Sequence, residues 1–319
     1  MTIGDPYSRD GAVRGRAVAL PLLTQPVPFE AGDPALERYR RNWLVSGLGE
    51  AGQARLAAAR VLVVGAGGLG SPVLLYLTAA GVGTIGICDS DVVEVSNLQR
   101  QLLHGEADVG VAKPDSAVRH LSALNSSVRF ERFGHVTREW LEEHGREWDL
   151  IVECTDSFDA KYLVADYCAQ SGVPLVWGTV VSMQLQVSVF WSHAPAPVPR
   201  LTLRSLHPVQ PAPGTTPSSP EVGVLGPVVG QAGTTIVSLA IGLAGWQATV
   251  QGDGDGGHQG AGGLRRAPHR PGADSGRRHA TRGRADLRPV GVGVAGSSAA
   301  GRGARPDVAA IVVGGGGGQ

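Results

Sequence analysis

Three glycines and an aspartate in the first third of the chain have the residue types and spacing of a nucleotide-binding turn. Gly65, Gly67 and Gly70 follow the apolar run from Arg60 to Val64 and give the pattern G-x-G-x-x-G, which is typical of a strand-to-helix turn that holds phosphates. Glycine leaves room for phosphate oxygens to approach backbone N–H groups, and the helix start adds its positive dipole end. Asp89 ends the next predicted strand, where such folds place an acid that binds ribose. These residues alone fit any dinucleotide enzyme.

Polar residues beyond this turn add the cations and the acid that chemistry on phosphates requires. Asn97 and Arg100 lie in the segment after the acidic strand end, and Lys113 begins a predicted helix. The chain has only two lysines against 26 arginines, so a lysine here favours a specific role over that of a solvated helix residue. Asp156 follows a further apolar strand, where its carboxylate suits the cap of the helix that begins near Ser157, a role that is compatible with binding a cation.

In order and spacing, these motifs resemble the ThiF/MoeB superfamily of ATP-dependent activators of ubiquitin-like proteins. Within it, they resemble especially the bacterial MoeB/MoeZ-type adenylyltransferases of molybdopterin and related sulfur-transfer pathways. The resemblance starts near Leu20, fades near residue 233 and covers about two thirds of the chain. It rests on these segments: RYRRNWLVSGLGEAGQARL, VLVVGAGGLGSP, DSDVVEVSNLQRQLLHGEADVGVAKPDSA, DLIVECTDSFDAKYLVADYC and VPLVWGTVVS.

The resemblance implies a nucleotide cradle around the glycine turn. Matched residue by residue, the cradle consists of Gly65, Gly67, Gly68 and Gly70, and Asp89 accepts the ribose hydroxyls. The implied cofactors are ATP and Mg²⁺. The alternative for Asp89 is a carboxylate at a strand end with no ligand.

The resemblance also implies the residues that act on the phosphates. Asn97, Arg100 and Lys113 contact the phosphates, and Asp156 holds Mg²⁺. Arg41 matches the family arginine that reaches into the partner subunit's site, which makes a homodimer the catalytic unit. The implied catalytic residues are therefore Arg41, Arg100, Lys113 and Asp156. The alternative for Arg41 is a surface residue of a basic first helix, and His104 and His135 are expected to be ordinary histidines rather than ligands.

The implied reaction is attack by the terminal glycine carboxylate of a carrier protein on the α-phosphate of ATP. That carboxylate is already ionised at pH 7, so no general base is required. The obstacle is repulsion between anions, because each pair of unit charges at 4 Å costs about 4 kcal/mol at an effective dielectric of about 20. Cations must offset this repulsion, and Arg41, Arg100, Lys113 and a Mg²⁺ on Asp156 are the available ones.

We therefore expect an ATP-dependent adenylyltransferase that acts on a small ubiquitin-like sulfur carrier ending in Gly-Gly, in a molybdopterin or thiamine/cysteine pathway. It would release pyrophosphate and leave an acyl-adenylate for a separate sulfur donor. Two alternatives stay open: a NAD-dependent oxidoreductase that uses the same turn, and an inactive, truncated or frameshifted nucleotide-binding protein. The oxidoreductase is disfavoured because the chain has no Tyr-x-x-x-Lys pair.

Three departures from the family pattern limit what the resemblance implies. Ser219 stands where relatives have a cysteine linked to covalent sulfur or thioester transfer, which puts that step in doubt but not adenylation. The paired cysteines that hold structural zinc in many relatives are absent, so no zinc site is expected. The usual E-G-Q turn before the last strand reads Gln184-Leu185-Gln186, which loses a glycine where a tight turn is expected.

Composition places the chain among cytoplasmic globular proteins. With 319 residues, 42% of them hydrophobic, it can bury a full core. No run of 18 uninterrupted apolar residues occurs, and acids and prolines at the N-terminus argue against a signal peptide, so no membrane partner is expected. The three cysteines form no C-x-x-C pair, and Cys88 and Cys154 are expected to be core thiols.

Apolar strands near residues 60, 84, 128, 149 and 174 alternate with helical stretches. This alternation predicts an α/β fold with a doubly wound, Rossmann-like, mostly parallel sheet, and Gln184 to Trp191 predicts an antiparallel extension. Residues 192–222 are rich in proline and are predicted to be a mobile, functional crossover loop without regular elements.

We expect three segments along the chain: a partly disordered N-terminal extension (1–34), the nucleotide-binding adenylyltransferase domain (35–250) and a disordered tail (251–319). The tail has 20 glycines, 10 arginines and no aromatic residue except histidine, so it cannot build a core. Without aromatics for base stacking, nucleic-acid binding is not expected. A shifted reading frame explains the loss of the family pattern in this tail better than a nucleic-acid-binding role does.

Overall fold

The computed structural model describes residues 20–30, 32–45, 47–196, 198–212, 214–216, 219–245 and 311–313. These residues all belong to one structural unit, Met1–Thr249 with Val294–Gln319. Residues 1–19 of the predicted N-terminal extension lie outside the described residues. The described part of the extension contacts the domain at Leu20, which is buried and whose N–H donates to the carbonyl of Leu243 over 3.4 Å.

The described strands form one seven-stranded sheet in the order β3-β2-β1-β4-β5-β6-β7. Strands β1 to β5 are parallel, and β6 and β7 are antiparallel to their neighbours. The predicted doubly wound sheet with an antiparallel extension is confirmed. The strands are β1 Arg60–Val64, β2 Thr84–Cys88, β3 Arg129–Phe133, β4 Leu150–Glu153, β5 Leu175–Val181, β6 Gln184–Phe190 and β7 Ile311–Val313.

Helices cover both faces of this sheet, because alternate residues of its central strands point to opposite sides. Val61 and Val63 of β1 pack with residues of α2, α3, α4 and α9, whereas Leu62 and Val64 pack with residues of α5 and α6. The helices are α1 Pro34–Trp43, α2 Gly49–Ala58, α3 Gly70–Ala79, α4 Lys113–Leu124, α5 Arg138–His144, α6 Phe158–Ser171, α7 Leu203–Leu206, α8 Ser219–Val222 and α9 Gly226–Gly245.

Helix α9 is the one described helix that is long and apolar enough, by composition alone, to cross a membrane. Half of it is buried inside the fold. It packs against α2, α3, β5 and β6, and Ile236 and Ala240 are fully buried there. These contacts are those of a core helix.

The segment predicted to be an irregular crossover loop contains two short helices, α7 and α8, so that prediction is wrong in these two places. Helix α7 forms because Thr202 and Ser205 bond to each other at its start. Tyr162 of α6 donates its hydroxyl to the carbonyls of His207 and Val209 over 3.1 and 2.9 Å, which anchors the segment just after α7.

The antiparallel strand predicted from Gln184 is confirmed, and the tight turn that the family pattern places at Gln184-Leu185-Gln186 is absent there. These residues lie in β6, where Leu185 pairs with Val180 and is 6% exposed. The chain instead reverses at Ser182 and Met183, and Ser182 takes the left-handed conformation with φ 55°. Leucine at position 185 therefore supplies apolar surface to the sheet rather than a turn.

Three residues of the tail that was predicted to be disordered form a strand. Ile311–Val313 pair antiparallel with Leu185 to Val187 of β6. Branched apolar residues favour the strand conformation. The edge of β6 also offers backbone groups with which these three residues can pair. The rest of the tail lies outside the described residues.

Candidate functional site

The glycine turn after β1 is packed so closely that a side chain at Gly65, Gly68 or Gly70 would collide with neighbouring atoms. Gly65 has φ 99°, and a Cβ on it would lie 2.9 Å from the carbonyl of Cys154. A Cβ on Gly70 would collide with the carbonyl oxygen of Gly65, and one on Gly68 would lie 2.8 Å from Val229. Within the described part of the chain, neither Gly67 nor Gly68 donates its N–H to a protein acceptor. These donors at the start of α3 are free to bind an anion.

Asp89 connects the glycine turn to the segment that follows β2. One carboxylate oxygen accepts from the N–H of Ala66 over 2.7 Å, and the other accepts from the N–H of Asp91 over 2.8 Å. Asp89 is therefore more than a strand-end acid, because it holds the turn in place. Each oxygen keeps a second lone pair for a further donor, so binding of ribose hydroxyls is compatible with these contacts.

Asn97 and Arg100 lie on a short 3₁₀ helix and the turn after it, beside the glycines. Asn97 is buried, and its side-chain oxygen accepts from the N–H of Glu94 over 3.1 Å. Arg100 lays its stem against Gly68 and donates from Nη1 to the carbonyl of Ser96 over 3.1 Å. Guanidinium has five N–H donors, so this one bond leaves most of them for a phosphate.

Lys113 is buried at the start of α4, with only 6% of its surface exposed. Its ammonium donates to a carboxylate oxygen of Asp91 over 2.7 Å, and its N–H donates to the carbonyl of the same residue. This burial excludes the alternative in which Lys113 is a solvated residue of the helix. Asp91 was not among the predicted site residues, although its position two residues after Asp89 indicated that it would lie near the turn. Together the two aspartates join the glycine turn to a buried cation.

His104 is a second residue whose role sequence reasoning missed. Its Nε2–H donates to the carbonyl of Ala66 over 3.0 Å, and its Nδ1 accepts from the hydroxyl of Ser116 over 2.8 Å. Burial lowers the pKa of His104, against the opposing effect of the carbonyl of Ala66. The neutral ring thus ties the glycine turn to α4. No local pattern could reveal this, because the partners lie 38 and 12 residues away.

We expect His104 to make the fold more stable at neutral than at acidic pH. Its pKa is lowered in the folded state, so the unfolded chain binds more protons and stability falls as the pH drops below about 6.5, the ordinary value for histidine. Urea unfolding at several pH values should therefore show a shallower decline for His104→Gln than for the native chain. His135→Gln, at an exposed histidine, serves as the control, and equal slopes for the native and His104→Gln chains would contradict this account.

Asp156 is exposed and follows β4, whose last residue, Glu153, belongs to a buried ion pair. Glu153 and Lys161 are 0% and 2% exposed, and the ammonium of Lys161 donates to Glu153 over 2.7 Å and to the carbonyl of Gly178 over 2.6 Å. The other oxygen of Glu153 accepts from the N–H of Thr155 over 2.7 Å. Burial raises the pKa of Glu153, against the opposing effect of Lys161. The pair therefore fixes the loop that presents Asp156.

The helix cap suggested for Asp156 belongs to its neighbour. Ser157 accepts at its hydroxyl from the N–H of Ala160 over 3.4 Å, and α6 begins at Phe158. The carboxylate of Asp156 is therefore left for another ligand. In the described ranges, no group of three or more histidine, cysteine or acidic side chains could hold a metal ion. A single carboxylate still fits Mg²⁺, which usually takes one or two carboxylates together with substrate phosphates and water.

Arg41 is exposed near the end of α1, a helix that packs against α2. Most of the predicted site residues lie around the glycine turn, whereas Arg41 and Asp156 are exposed and take part in none of the contacts described above. Residues brought together by the contacts described above are Gly65, Gly67, Gly68, Gly70, Asp89, Asn97, Arg100 and Lys113.

Comparison with known proteins gives the chain a family match and several curated relatives. A model of the ThiF family matches residues 39–252. The probable adenylyltransferase/sulfurtransferase MoeZ of Mycobacterium tuberculosis is 43% identical over 232 residues, which are 71% of this chain and 59% of that protein. The sulfur carrier protein adenylyltransferase of Thermus thermophilus is 43% identical over 209 residues, which are 65% of this chain and 76% of that protein. The chain thus spans about 59% of the length of MoeZ.

Solved structures with the same fold include a crystal structure of E. coli MccB with ATP. It is 24% identical in sequence, has a TM-score of 0.55 and aligns with 65% of this chain and 63% of that one. This likeness supports the doubly wound architecture described above.

Proposed function

Because the chain belongs to the ThiF family, we propose that it adenylylates the C-terminal glycine of a small ubiquitin-like sulfur carrier protein at the expense of ATP. The names of the relatives support this activity, since those from Mycobacterium and Thermus are both adenylyltransferases. One observation carries the assignment to this chain. A single hydrogen-bonded network joins the glycine turn, the ribose-binding acid Asp89, and the buried cation Lys113 through Asp91.

In the proposed reaction, a carboxylate oxygen of the carrier's last glycine attacks the α-phosphorus of ATP. A bond forms between that oxygen and phosphorus, the bond to the bridging oxygen of the β-phosphate breaks, and pyrophosphate leaves. Lys113 and Arg100 offset the negative charge on the phosphates, and the free N–H groups of Gly67 and Gly68 add to them. Asp156 would hold Mg²⁺, which supplies further positive charge to the phosphates when it is bound.

Sulfur is proposed to come from a separate donor, because this chain has no reactive thiol. Its three cysteines are all buried and free. Burial raises the pKa of Cys88 to about 12 and raises those of Cys154 and Cys168 further. A thiolate is the nucleophilic form of cysteine, so these residues are unsuited to carry sulfur. The pathway, molybdopterin or thiamine/cysteine, and the cytoplasmic location both stay predictions.

The proposed product can be detected directly. The chain is incubated with ATP, Mg²⁺ and a carrier ending in Gly-Gly, and the intact mass of the carrier is measured. We expect the carrier to gain one adenylyl group, which neutral hydroxylamine removes because the bond is an acyl phosphate anhydride. The same carrier without its last glycine is the control. If no cognate carrier gains this group with a folded enzyme, the proposed function is wrong.

We propose further that the enzyme acts as a homodimer in which Arg41 completes the partner's site. The exposure of Arg41 on its own chain supports this role, since an exposed guanidinium is able to contact a second copy of the chain. Arg41→Ala and Asp156→Ala are each expected to be nearly inactive. Mixed and allowed to exchange subunits, they should regain about a quarter of the native rate, because half of the dimers then contain one intact site. Absence of any gain in an exchanged mixture would contradict the shared site.

A further inference from the structure

Tyr39 is the one buried residue of α1, and only 3% of its surface is exposed. Its ring lies directly against Gly81, where a Cβ would be 2.3 Å from the ring. Gly81 has φ 77°, so glycine suits this position both for its backbone and for the room that it leaves. The ring of Tyr39 therefore fills a socket that a glycine leaves open.

The hydroxyl of Tyr39 is held by polar side chains in the same socket. It accepts from the side-chain amide of Asn125 over 2.8 Å and lies 3.4 Å from the hydroxyl of Ser127. The same amide donates to the carbonyl of Thr78 over 2.8 Å, and Asn125 is fully buried. Buried hydrogen bonds of this kind hold a side chain in one orientation, because a broken bond leaves a polar group without a partner. Tyr39 thus fixes the rotation of α1 about its own axis.

The rotation of α1 determines where Arg41 points. Successive residues of a helix are about 100° apart, so Tyr39 and Arg41, which are two positions apart, lie on opposite sides of α1. With Tyr39 in the core, Arg41 faces away from the body of its own chain, in agreement with its exposure. Leu44 follows three residues later, beside Arg41, and is 70% exposed. A guanidinium next to an exposed apolar side chain suits contact with another protein surface.

The socket of Tyr39 lies at one end of α3, and the glycine turn lies at the other. Gly70 begins this helix, Thr78 lies in its last turn, and Gly81 follows it. The helix has ten residues and is therefore about 15 Å long. α1 is thus seated at the end of α3 that is remote from the phosphate-binding turn of its own chain.

We propose that Tyr39 is the positioning residue of Arg41, because it holds α1 in the rotation that presents Arg41 to the nucleotide site of a second copy of the chain. This inference rests on the proposed function, since it takes Arg41 to act in the partner's site. Tyr39 itself touches no reacting atom. A change at Tyr39 therefore impairs the partner's site and leaves the site of its own chain intact, which a general loss of structure would not do.

The test begins with Tyr39→Phe, which removes the hydroxyl, keeps the ring in its socket and should fold. We expect the rate of carrier adenylylation to fall about tenfold, less than the roughly 10²-fold that a misplacement of about 1 Å costs. Added to Arg41→Ala, the same change should lower the rate no further, because both act through one guanidinium. Tyr76→Phe, at an exposed tyrosine of α3, is the matched control and should keep the native rate.

Exchange of subunits shows which site is impaired. Mixed with an equal amount of Asp156→Ala and allowed to exchange, Tyr39→Phe should reach about a quarter of the native rate, about five times its rate before exchange. The gain arises because half of the dimers then combine the intact site of Tyr39→Phe with a native Tyr39 and Arg41 from the other subunit.

The outcomes separate this inference from the proposed function. A native rate for Tyr39→Phe overturns the inference alone. So does a low rate that exchange fails to raise when Arg41→Ala gains under the same conditions. No gain for either variant contradicts the shared site together with the inference, whereas no adenylylation by the folded native chain refutes the proposed function itself.

Discussion

Replacing Lys113 by alanine is expected to lower the rate of carrier adenylylation by about 10²- to 10³-fold, the usual effect of removing one preorganised group that stabilises transition-state charge. Lys113 is the buried cation of the site, and one bond to Asp91 occupies only one of its three donors. The fold should survive, because Asp91 is 68% solvent-exposed in its side chain and water can take the place of its partner. The rate is measured as ATP–pyrophosphate exchange with a saturating carrier.

Arg132→Ala is the control for Lys113→Ala, because it also removes a cation, but one from a solvent-exposed pair with Asp115. Exposed pairs contribute little to stability, so its rate and its unfolding should match those of the native chain. Lys113→Arg tests geometry in addition to charge, since guanidinium is planar and larger than ammonium, and we expect it to recover only part of the rate. Equal rates for Lys113→Ala and the native chain would remove Lys113 from the site.

The second large effect is expected at the buried pair of Glu153 and Lys161. Lys161→Met leaves the carboxylate of Glu153 buried without a partner, and losses of about 3 to 5 kcal/mol in the free energy of unfolding are typical of such changes. The double variant Glu153→Gln with Lys161→Met should regain much of this loss, because it leaves no buried charge. Urea unfolding of the native chain, both single variants and the double variant measures the coupling energy between the two residues.

The same pair should affect catalysis through Asp156. Glu153 holds the N–H of Thr155, which precedes Asp156 in the loop after β4. The double variant should therefore fold but require a higher Mg²⁺ concentration for half-maximal exchange than the native chain. The pair does not position this loop if the losses in stability of the two single variants add up to the loss in the double variant. The same conclusion follows if a folded double variant has an unchanged Mg²⁺ requirement.

The sheet could be predicted because its information is local. Strands β1, β2, β4 and β5 are short runs of mostly apolar residues, and each of β1 to β4 is followed by a helix, so the alternation in sequence becomes the alternation in space. The glycine turn could be predicted for the same reason. Gly65, Gly67 and Gly70 form the turn within six residues, so their spacing in the sequence predicts the backbone geometry of the turn directly.

The supporting groups of the site could not be predicted, because their partners are distant in the chain. His104 meets Ala66 across 38 residues, and Lys113 meets Asp91 across 22. A sequence records the residue type but not which of many possible partners is brought near it.

Two places differ from the expectation because pairing between strands decides the structure there. The family pattern has a turn at Gln184-Leu185-Gln186, yet Leu185 pairs with Val180 and lies in β6, as the predicted antiparallel strand requires. Ile311–Val313 lie in the glycine-rich tail, where no regular element was expected, yet they pair with β6. In both cases a backbone ladder with a neighbouring strand outweighs the signal of the surrounding sequence.

ATP–pyrophosphate exchange with a panel of carrier proteins that end in Gly-Gly tests the central claim most directly. The account predicts that the purified, folded chain with Mg²⁺ incorporates labelled pyrophosphate into ATP when one carrier of the panel is present, and not when that carrier lacks its last glycine. The carrier that stimulates exchange also identifies the pathway. No exchange with any carrier, in a sample whose unfolding is cooperative, would contradict the adenylyltransferase function and favour an inactive nucleotide-binding protein.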